Sequence, residues 1–237
     1  MGIFHLVAFD LDDTLYPERE FVHSGFTAVA RHLADLGVID AESFFHAATS
    51  LFIAGARGNI FDLALERLAV VFPAARLGEL VRVYREHLPL IRPFAGSPKL
   101  LQLLKAKGAV LALISDGPYP TQQNKLRALG LEAYFDHLVF TGAHGEDWGK
   151  PSPRAFLEVM AHSGAPAAAC VYVADNPGKD FAGPNRLGWH TIRVRDRIGL
   201  YVDASAPPGG EPQATVDSFA ALGELLLERG EPLTDGS

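Results

Sequence analysis

The sequence predicts an α/β protein in which helices cover both faces of a parallel sheet, with an all-helical insertion after the first strand. Between residues 97 and 194, short apolar runs alternate with helical patterns that end at glycine. Such β-α-β alternation is typical of parallel sheets that are buried on both faces. Residues 17–92 instead repeat apolar side chains at helical spacing and show no convincing strand pattern. The combination favours a Rossmann-like core that is interrupted early by helices.

The core elements follow one another in a regular order. An apolar run at residues 3–8 predicts the first strand, and Ser97-Pro98 is typical of a helix N-cap followed by a first helical position. Further strands are predicted at residues 109–114, 138–140, 170–174 and 191–194. The helices between them are predicted at residues 97–108, 121–129 and 152–164, with one more ending near Leu187.

The C-terminal part is predicted to add one strand and one helix to this core. Residues 203–213 are rich in proline, glycine and alanine and are predicted to form a loop. Residues 214–216 are predicted as a last edge strand, and Ser218 as the cap of a final helix. The residues after Gly230 are expected to fray.

Four amphipathic stripes make up the insertion. They fall at residues 21–36, 44–52, 61–72 and 77–88, and Asp40 is the predicted N-cap of the second. Helices joined by short loops can bury such stripes against each other as a small bundle. The predicted domains are therefore a core at residues 1–16 and 92–237, and a helical insertion at residues 17–91.

Composition narrows the class of protein. The chain has 237 residues, 48% of them hydrophobic, and a formal net charge of −7. An acidic chain lacks the basic surface that nucleic acid or an anionic membrane requires. Its one cysteine, Cys170, excludes a disulfide within the chain. No signal-type segment opens the sequence and no apolar run reaches membrane-spanning length, so we expect a cytoplasmic protein, monomeric or homodimeric.

Polar clusters follow four of the predicted strands. Asp10 and Asp12 follow the first, and Ser115 follows the second. Lys150 comes after the third strand and its loop, and Asp175 opens the polar run that follows the fourth. Because parallel strands end at one edge of a sheet, we expect these side chains to share one crevice.

This set of carboxylates, one hydroxyl and one lysine suits phosphoryl transfer. An aspartate can act as the nucleophile, and Mg²⁺ prefers a few carboxylates together with substrate phosphate, which Asp10 and Asp175 can supply. A second carboxyl at Asp12, if it is held protonated, can give a proton to the leaving oxygen and later activate water. Ser115 can bind phosphate oxygens, and Lys150 adds positive charge.

The order of these motifs resembles that of the haloacid dehalogenase-like hydrolase superfamily, in its phosphatase branch with an all-helical cap of the first type. The matching stretches are residues 10–14, 115–117, 150–151 and 175–180. The resemblance covers residues 1–16 and 92–200, and it implies that the helical insertion is the cap.

The resemblance also implies a role for each matching residue. Asp10 would be the nucleophile and a metal ligand, and Asp12 the general acid/base that binds the metal through its backbone carbonyl. Asp175 would be a further metal ligand. Ser115 and Lys150 would bind the phosphoryl group, and Asp116 belongs to the same phosphate-binding stretch as Ser115. The supporting positions would be Asn176 and Asp180.

Asp116 and Ala174 depart from the family pattern, and three further residues are expected to contact substrate. Asp116 stands where many members carry asparagine, so its charged side chain is expected to point away from the phosphate. A cap that closes over the crevice must present polar groups, which makes Tyr16, Arg57 and Asn59 the candidate substrate contacts.

The sequence therefore predicts a Mg²⁺-dependent phosphatase that acts on a small phosphorylated metabolite through an aspartyl-phosphate. A haloacid dehalogenase is an alternative, although Asp12 argues against it because a halide leaves without a proton. A phosphomutase would keep the same residues. A non-catalytic regulatory protein of the same fold is a further alternative, against which the intact acidic residues weigh. The identity of the substrate and the oligomeric state stay open.

Overall fold

The computed structural model describes residues 4–195 and 199–227, and the chain divides into two compact units. The core unit combines Met1–Glu18 with Arg92–Ser237, and the helical unit is Arg19–Ile91. The predicted start of the first strand at Ile3 and the predicted fraying after Gly230 lie outside the described residues.

The core unit is built on a six-stranded parallel sheet, which confirms the predicted fold class. The strands are β1 (Leu6–Phe9), β2 (Val110–Ser115), β3 (His137–Phe140), β4 (Cys170–Ala174), β5 (His190–Val194) and β6 (Ala214–Val216). Their order across the sheet is β3-β2-β1-β4-β5-β6. Phe9 at the end of β1 pairs with Leu113 on one side and Val173 on the other. The carboxyl ends of β1, β2 and β4 are therefore neighbours.

Nine α-helices lie within the described ranges. In chain order they are α1 (Glu18–Asp35), α2 (Ala41–Ile53), α3 (Ile60–Arg67), α4 (Leu77–Glu86), α5 (Ser97–Ala106), α6 (Tyr119–Ala128), α7 (Arg154–Ser163), α8 (Ala182–Arg186) and α9 (Phe219–Leu227). None of those described combines the length and the apolar character that crossing a membrane requires.

Of two helix caps predicted in the core unit, one is confirmed and the other is wrong. Ser218 caps α9, since its Oγ accepts a hydrogen bond from the N–H of Ala221 at 3.2 Å. The prediction of Ser97 as an N-cap is wrong, because Gly96 precedes the helix at φ +93°, a conformation that suits glycine. Ser97 is instead the first helical residue, and its buried hydroxyl donates to the Leu15 carbonyl at 3.5 Å.

Large aromatic side chains pack one face of the sheet. Phe156 of α7 meets the ring of Tyr172 of β4 nearly edge-on, with the ring centroids 4.9 Å apart. It meets Trp189 in the same way at 5.6 Å. All three are fully buried, and each such burial contributes about 1.5–3 kcal/mol. This cluster holds β4 in place, and β4 leads directly into an acidic loop.

The helical unit has its own aromatic core. Phe26 of α1 lies edge-on to Phe52 of α2 and Phe61 of α3, with both centroid distances at 6.1 Å. Tyr84 of α4 packs so closely on Gly25 that a Cβ there would lie 2.4 Å from the tyrosine ring. A glycine is therefore required where α1 meets α4.

The caps and ends of these helices partly match the predictions made from the sequence. Asp40 caps α2 by accepting a hydrogen bond from the N–H of Ser43 at 2.8 Å, as predicted. The prediction that Leu88 belongs to the buried stripe of the fourth helix is wrong, since α4 ends at Glu86 and Leu88 is 80% exposed. The residue before a proline is disfavoured in a helix, and Pro89 follows directly.

Candidate active site

The candidate site lies at the carboxyl edge of the core sheet. Asp10 follows β1 directly, and its N–H continues the sheet by donating to the Val173 carbonyl at 2.9 Å. Ser115 ends β2, and Asp175 follows β4. All three are buried. β1, β2 and β4 thus each place one polar side chain at the carboxyl edge of the sheet.

A buried lysine holds two of the aspartates. The Nζ atom of Lys150 lies 2.7 Å from Oδ1 of Asp10 and 2.8 Å from Oδ1 of Asp180. It also donates a hydrogen bond to the Tyr172 hydroxyl at 3.0 Å. Burial by itself would lower the pKa of Lys150, but Asp10 and Asp180 raise it well above its ordinary value. The lysine is therefore charged at neutral pH.

Carboxylates crowd together beside this lysine. Asp10, Asp175 and Asp180 each offer an oxygen, and these oxygens all lie within 4.8 Å of one another. Burial raises the pKa of Asp10 to about 6, against the opposing effect of Lys150. Burial, then Asp180 and Asp10, raise the pKa of Asp175 well above its usual value. Buried carboxylate oxygens that repel one another fit a hard divalent cation such as Mg²⁺.

Asp12 has a separate set of partners. Lys125 donates to its Oδ1 at 2.7 Å, and Gln122 donates to its Oδ2 at 2.8 Å. The Tyr16 hydroxyl donates to Oδ1 as well. Burial opposes ionisation of Asp12, but Lys125, followed by Tyr16 and Gln122, outweighs it and lowers the pKa of Asp12. The two aspartates after β1 therefore sit in different electrostatic surroundings.

Ser115 and Asp116 occupy the end of β2. The Ser115 Oγ accepts a hydrogen bond from Nε2 of Gln122 at 2.7 Å. The Asp116 carboxylate accepts from the Thr141 hydroxyl at 2.9 Å and from the Lys150 backbone N–H at 3.2 Å. Asp116 thus ties the loop after β2 to the loop after β3.

The loop after β4 is closed by its own polar groups. The Asp180 Oδ2 accepts from the N–H of Asn176 at 2.9 Å, and the Asn176 Oδ1 accepts from the N–H of Gly178 at 2.9 Å. Asp180 therefore contacts both the loop backbone and Lys150, while the Asn176 side chain shapes the turn.

The three candidate substrate contacts fall in different places. Tyr16 belongs to the core unit, where it is fully buried and its hydroxyl contacts Asp12. Arg57 and Asn59 belong to the helical unit. The Arg57 guanidinium donates to the carbonyls of Phe52 and Ala56 and lies 4.2 Å from the centre of the Phe52 ring. Asn59 directly precedes α3.

Sequence reasoning missed four polar residues of this region. Gln122 and Lys125 contact Asp12, and Lys179 forms an ion pair with Asp116 at 3.3 Å. Asp13 is buried with φ +50°, and its carboxylate accepts from the N–H groups of Glu18 and Leu200. Position next to a strand could have pointed to Asp13 and Lys179, whereas Gln122 and Lys125 lie within α6 and had no such signal.

The fold and the site together describe a parallel α/β protein in which buried aspartates and a buried lysine meet at the carboxyl edge of the sheet. A family model described as haloacid dehalogenase-like hydrolase matches residues 4–188. The chain belongs to this family.

Similar proteins include named phosphatases. The glyceraldehyde 3-phosphate phosphatase of Methanocaldococcus jannaschii is 31% identical over 192 residues, which cover 79% of this chain and 83% of the relative. The ribulose-1,5-bisphosphate 5-phosphatase of Halopiger xanaduensis is 28% identical over 236 residues, covering 92% and 96% respectively. A solved 2-haloacid dehalogenase from Pseudomonas syringae pv. Tomato DC3000 shares the fold, with a TM-score of 0.63, 24% identity, and coverage of 95% of this chain and 99% of the other.

Proposed function

We propose that this chain is a Mg²⁺-dependent phosphatase that hydrolyses a small phosphate monoester through an aspartyl-phosphate on Asp10. The observation that carries the proposal is the buried group in which Lys150 lies between Asp10 and Asp180, with Asp175 alongside. Such a group provides a nucleophile and a fixed positive charge for phosphoryl oxygens within one crevice.

The metal would be held by the carboxylates of Asp10 and Asp175 and by the backbone carbonyl of Asp12. Burial, followed by repulsion from Asp180 and Asp10, raises the pKa of Asp175, and this supports the assignment because a bound cation would favour its ionised form. When bound, Mg²⁺ supplies positive charge that stabilises the phosphoryl group during transfer.

The proposed reaction has two steps. Despite the burial of Asp12, Lys125 lowers the pKa of its carboxyl, so Asp12 must first take up a proton, which the monoanion of a phosphate monoester can supply. In the first step, a carboxylate oxygen of Asp10 bonds to phosphorus, the bond to the leaving oxygen breaks, and Asp12 passes that proton to the leaving oxygen. In the second, Asp12 removes a proton from water, the water oxygen bonds to phosphorus, and the bond to Asp10 breaks. Phosphate is released and Asp10 is regenerated.

Ser115 and Lys150 would bind the phosphate. Because Ser115 Oγ accepts a hydrogen bond from Gln122, its own proton remains for a phosphoryl oxygen. Asp116, whose carboxylate is engaged by Thr141 and the backbone of Lys150, would hold the loops around the phosphate. Asn176 and Asp180 would support the loop after β4.

The substrate is proposed to be a small phosphorylated metabolite. The names of the relatives make glyceraldehyde 3-phosphate the first compound to test and ribulose 1,5-bisphosphate another. Arg57 and Asn59 stay the predicted substrate contacts of the helical unit. For Tyr16, the hydrogen bond to Asp12 favours a place beside the general acid/base.

Phosphate release from a panel of monoesters, with and without Mg²⁺, tests the proposal. We expect metal-dependent turnover by the natural chain and a loss of at least about a thousandfold in Asp10→Asn. Asp217→Asn makes the same chemical change at an exposed carboxyl and should keep full activity. Equal turnover by Asp10→Asn and the natural chain would overturn the assignment of the nucleophile.

The same assay separates the alternative reactions. Halide release from a 2-haloacid without metal would favour a dehalogenase. A requirement for a bisphosphate activator would favour a phosphomutase.

A further inference from the structure

Two buried polar side chains on α6 contact the residue proposed as the general acid/base. Gln122 and Lys125 lie three positions apart, so they share one face of the helix. Both are at least 95% buried. Lys125 donates to Asp12 Oδ1 at 2.7 Å, and Gln122 donates to Asp12 Oδ2 at 2.8 Å. Each oxygen of the Asp12 carboxylate thus has its own donor from one helix.

Gln122 also connects Asp12 to the phosphate-binding serine. Its Nε2 group lies 2.7 Å from Ser115 Oγ and 2.8 Å from Asp12 Oδ2. An amide nitrogen carries two hydrogens, so both bonds can form at once. One side chain therefore fixes the distance between the group that would bind the phosphoryl oxygens and the group that would give up the proton.

Fold stability by itself is a weak reason for this arrangement. Burying a lysine is costly, and a buried ion pair often contributes no more to stability than apolar side chains of the same volume. What the pair does provide is a fixed orientation of the carboxylate, because two donors on a rigid helix restrict its rotation.

We propose that Gln122 and Lys125 are positioning residues that hold the Asp12 carboxyl beside Ser115, in line with the leaving oxygen of the substrate. The inference rests on the proposed phosphatase function. A displacement of about 1 Å in such a group can cost about a hundredfold in rate, so the effect should be large.

Substrates with different leaving groups can test whether Gln122 and Lys125 position Asp12. An alkyl phosphate needs a proton on its leaving oxygen, whereas p-nitrophenyl phosphate releases a stable phenolate without one. The ratio kcat/KM covers the steps up to departure of the leaving group, and it excludes the later attack of water. Poor positioning of Asp12 should therefore lower kcat/KM much more for the alkyl ester than for the aryl ester.

The test compares Lys125→Met with Arg127→Met, which removes an exposed cation from the same helix. We expect Lys125→Met to lower kcat/KM for an alkyl phosphate by about 30–100-fold and for p-nitrophenyl phosphate by less than about fivefold. Lys125→Arg should recover much of the loss, and Arg127→Met should match the natural chain. Equal losses on both esters, or no loss on either, would refute the positioning role.

Two further measurements keep the outcome clear. If Lys125→Met does not fold, as judged by circular dichroism, Gln122→Met makes the same test without removing a charge and should show the same ester preference. The natural chain and Asp10→Asn are assayed in parallel. Absence of phosphate release by the natural chain would reject the proposed function, whereas a normal natural chain with an unchanged ester preference in the variants would reject only the positioning role.

Discussion

Asp116 is a residue at which this chain departs from the common family pattern. Its Oδ1 accepts hydrogen bonds from Thr141 and from the backbone of Lys150, and its Oδ2 pairs with Lys179. An asparagine carbonyl could accept the first two bonds equally well. Only the contact with Lys179 depends on the negative charge. The sequence-based expectation that this side chain avoids the phosphate is consistent with the engagement of both oxygens by protein groups.

Replacing Asp116 with asparagine should improve the binding of substrate. The change removes a negative charge that repels a phosphate dianion, and it releases Lys179 for attraction to that dianion. A gain of about 1 kcal/mol corresponds to a roughly fivefold lower KM, with kcat changed by less than about twofold. Steady-state kinetics at constant ionic strength would measure both constants, and a higher KM in Asp116→Asn would contradict the argument.

Individual site residues were predictable when they stood next to a strand. Asp10, Ser115 and Asp175 each occupy the position where a buried apolar run ends, and the sheet topology brings such positions together. Gln122 and Lys125 were not predictable in this way. A lysine within a helical pattern is usually solvated, and only the packing of α6 against the β1 loop turns it inward.

At the scale of elements, the loops after β2 and β3 touch through two glycines. A Cβ on Gly142 would lie 2.1 Å from the carbonyl oxygen of Gly117, a distance that no real side chain tolerates. These loops carry Ser115 and Asp116 on one side and lead to Lys150 on the other. Their backbone contact therefore sets the spacing of the phosphate-binding groups.

Gly142→Ala should separate the two loops. Relief of the clash requires backbone movement, and overpacking of this kind costs about 1–3 kcal/mol. We expect a lower free energy of unfolding in chemical denaturation and a decrease in kcat/KM, since Lys150 would shift with its loop.

Gly149→Ala is the matched control on the same loop. Its nearest neighbour would lie 3.8 Å from the added Cβ, and φ is −60°, which any residue adopts. This variant should match the natural chain. Natural-like stability and activity in Gly142→Ala would show that the loop spacing is not fixed here.

Helix boundaries limited the sequence-based prediction of elements. The strand at Cys170–Ala174 was predicted to the residue, because an apolar run ends abruptly at a carboxylate. The fourth helix of the insertion was extended too far, since Leu88 fits the apolar spacing but follows the end of α4. Periodicity shows which residues could face a core, whereas the break in the backbone depends on local φ and on proline.

At the scale of the whole molecule, this acidic chain buries three aspartates, Asp10, Asp175 and Asp180, beside Lys150. Burial raises the pKa of Asp10 to about 6, and burial, followed by Asp180 and Asp10, raises that of Asp175 well above its usual value. Without metal, the folded protein therefore holds protons that the unfolded chain releases. Stability from these groups is fully present below about pH 4 and is lost as pH rises through about 6 and beyond.

A bound cation should reverse this loss, so Mg²⁺ should raise the unfolding temperature more at pH 8 than at pH 5. Binding requires ionised carboxylates, which are scarce in the folded protein at the lower pH. At a hundredfold excess over Kd, binding stabilises by about 2.7 kcal/mol, or roughly 5–10 °C in a chain of this size. Thermal denaturation with Mg²⁺ or a chelator measures the shift. Asp175→Asn should lose it and Asp217→Asn should retain it. An equal shift at both pH values, or in both variants, would place the cation elsewhere.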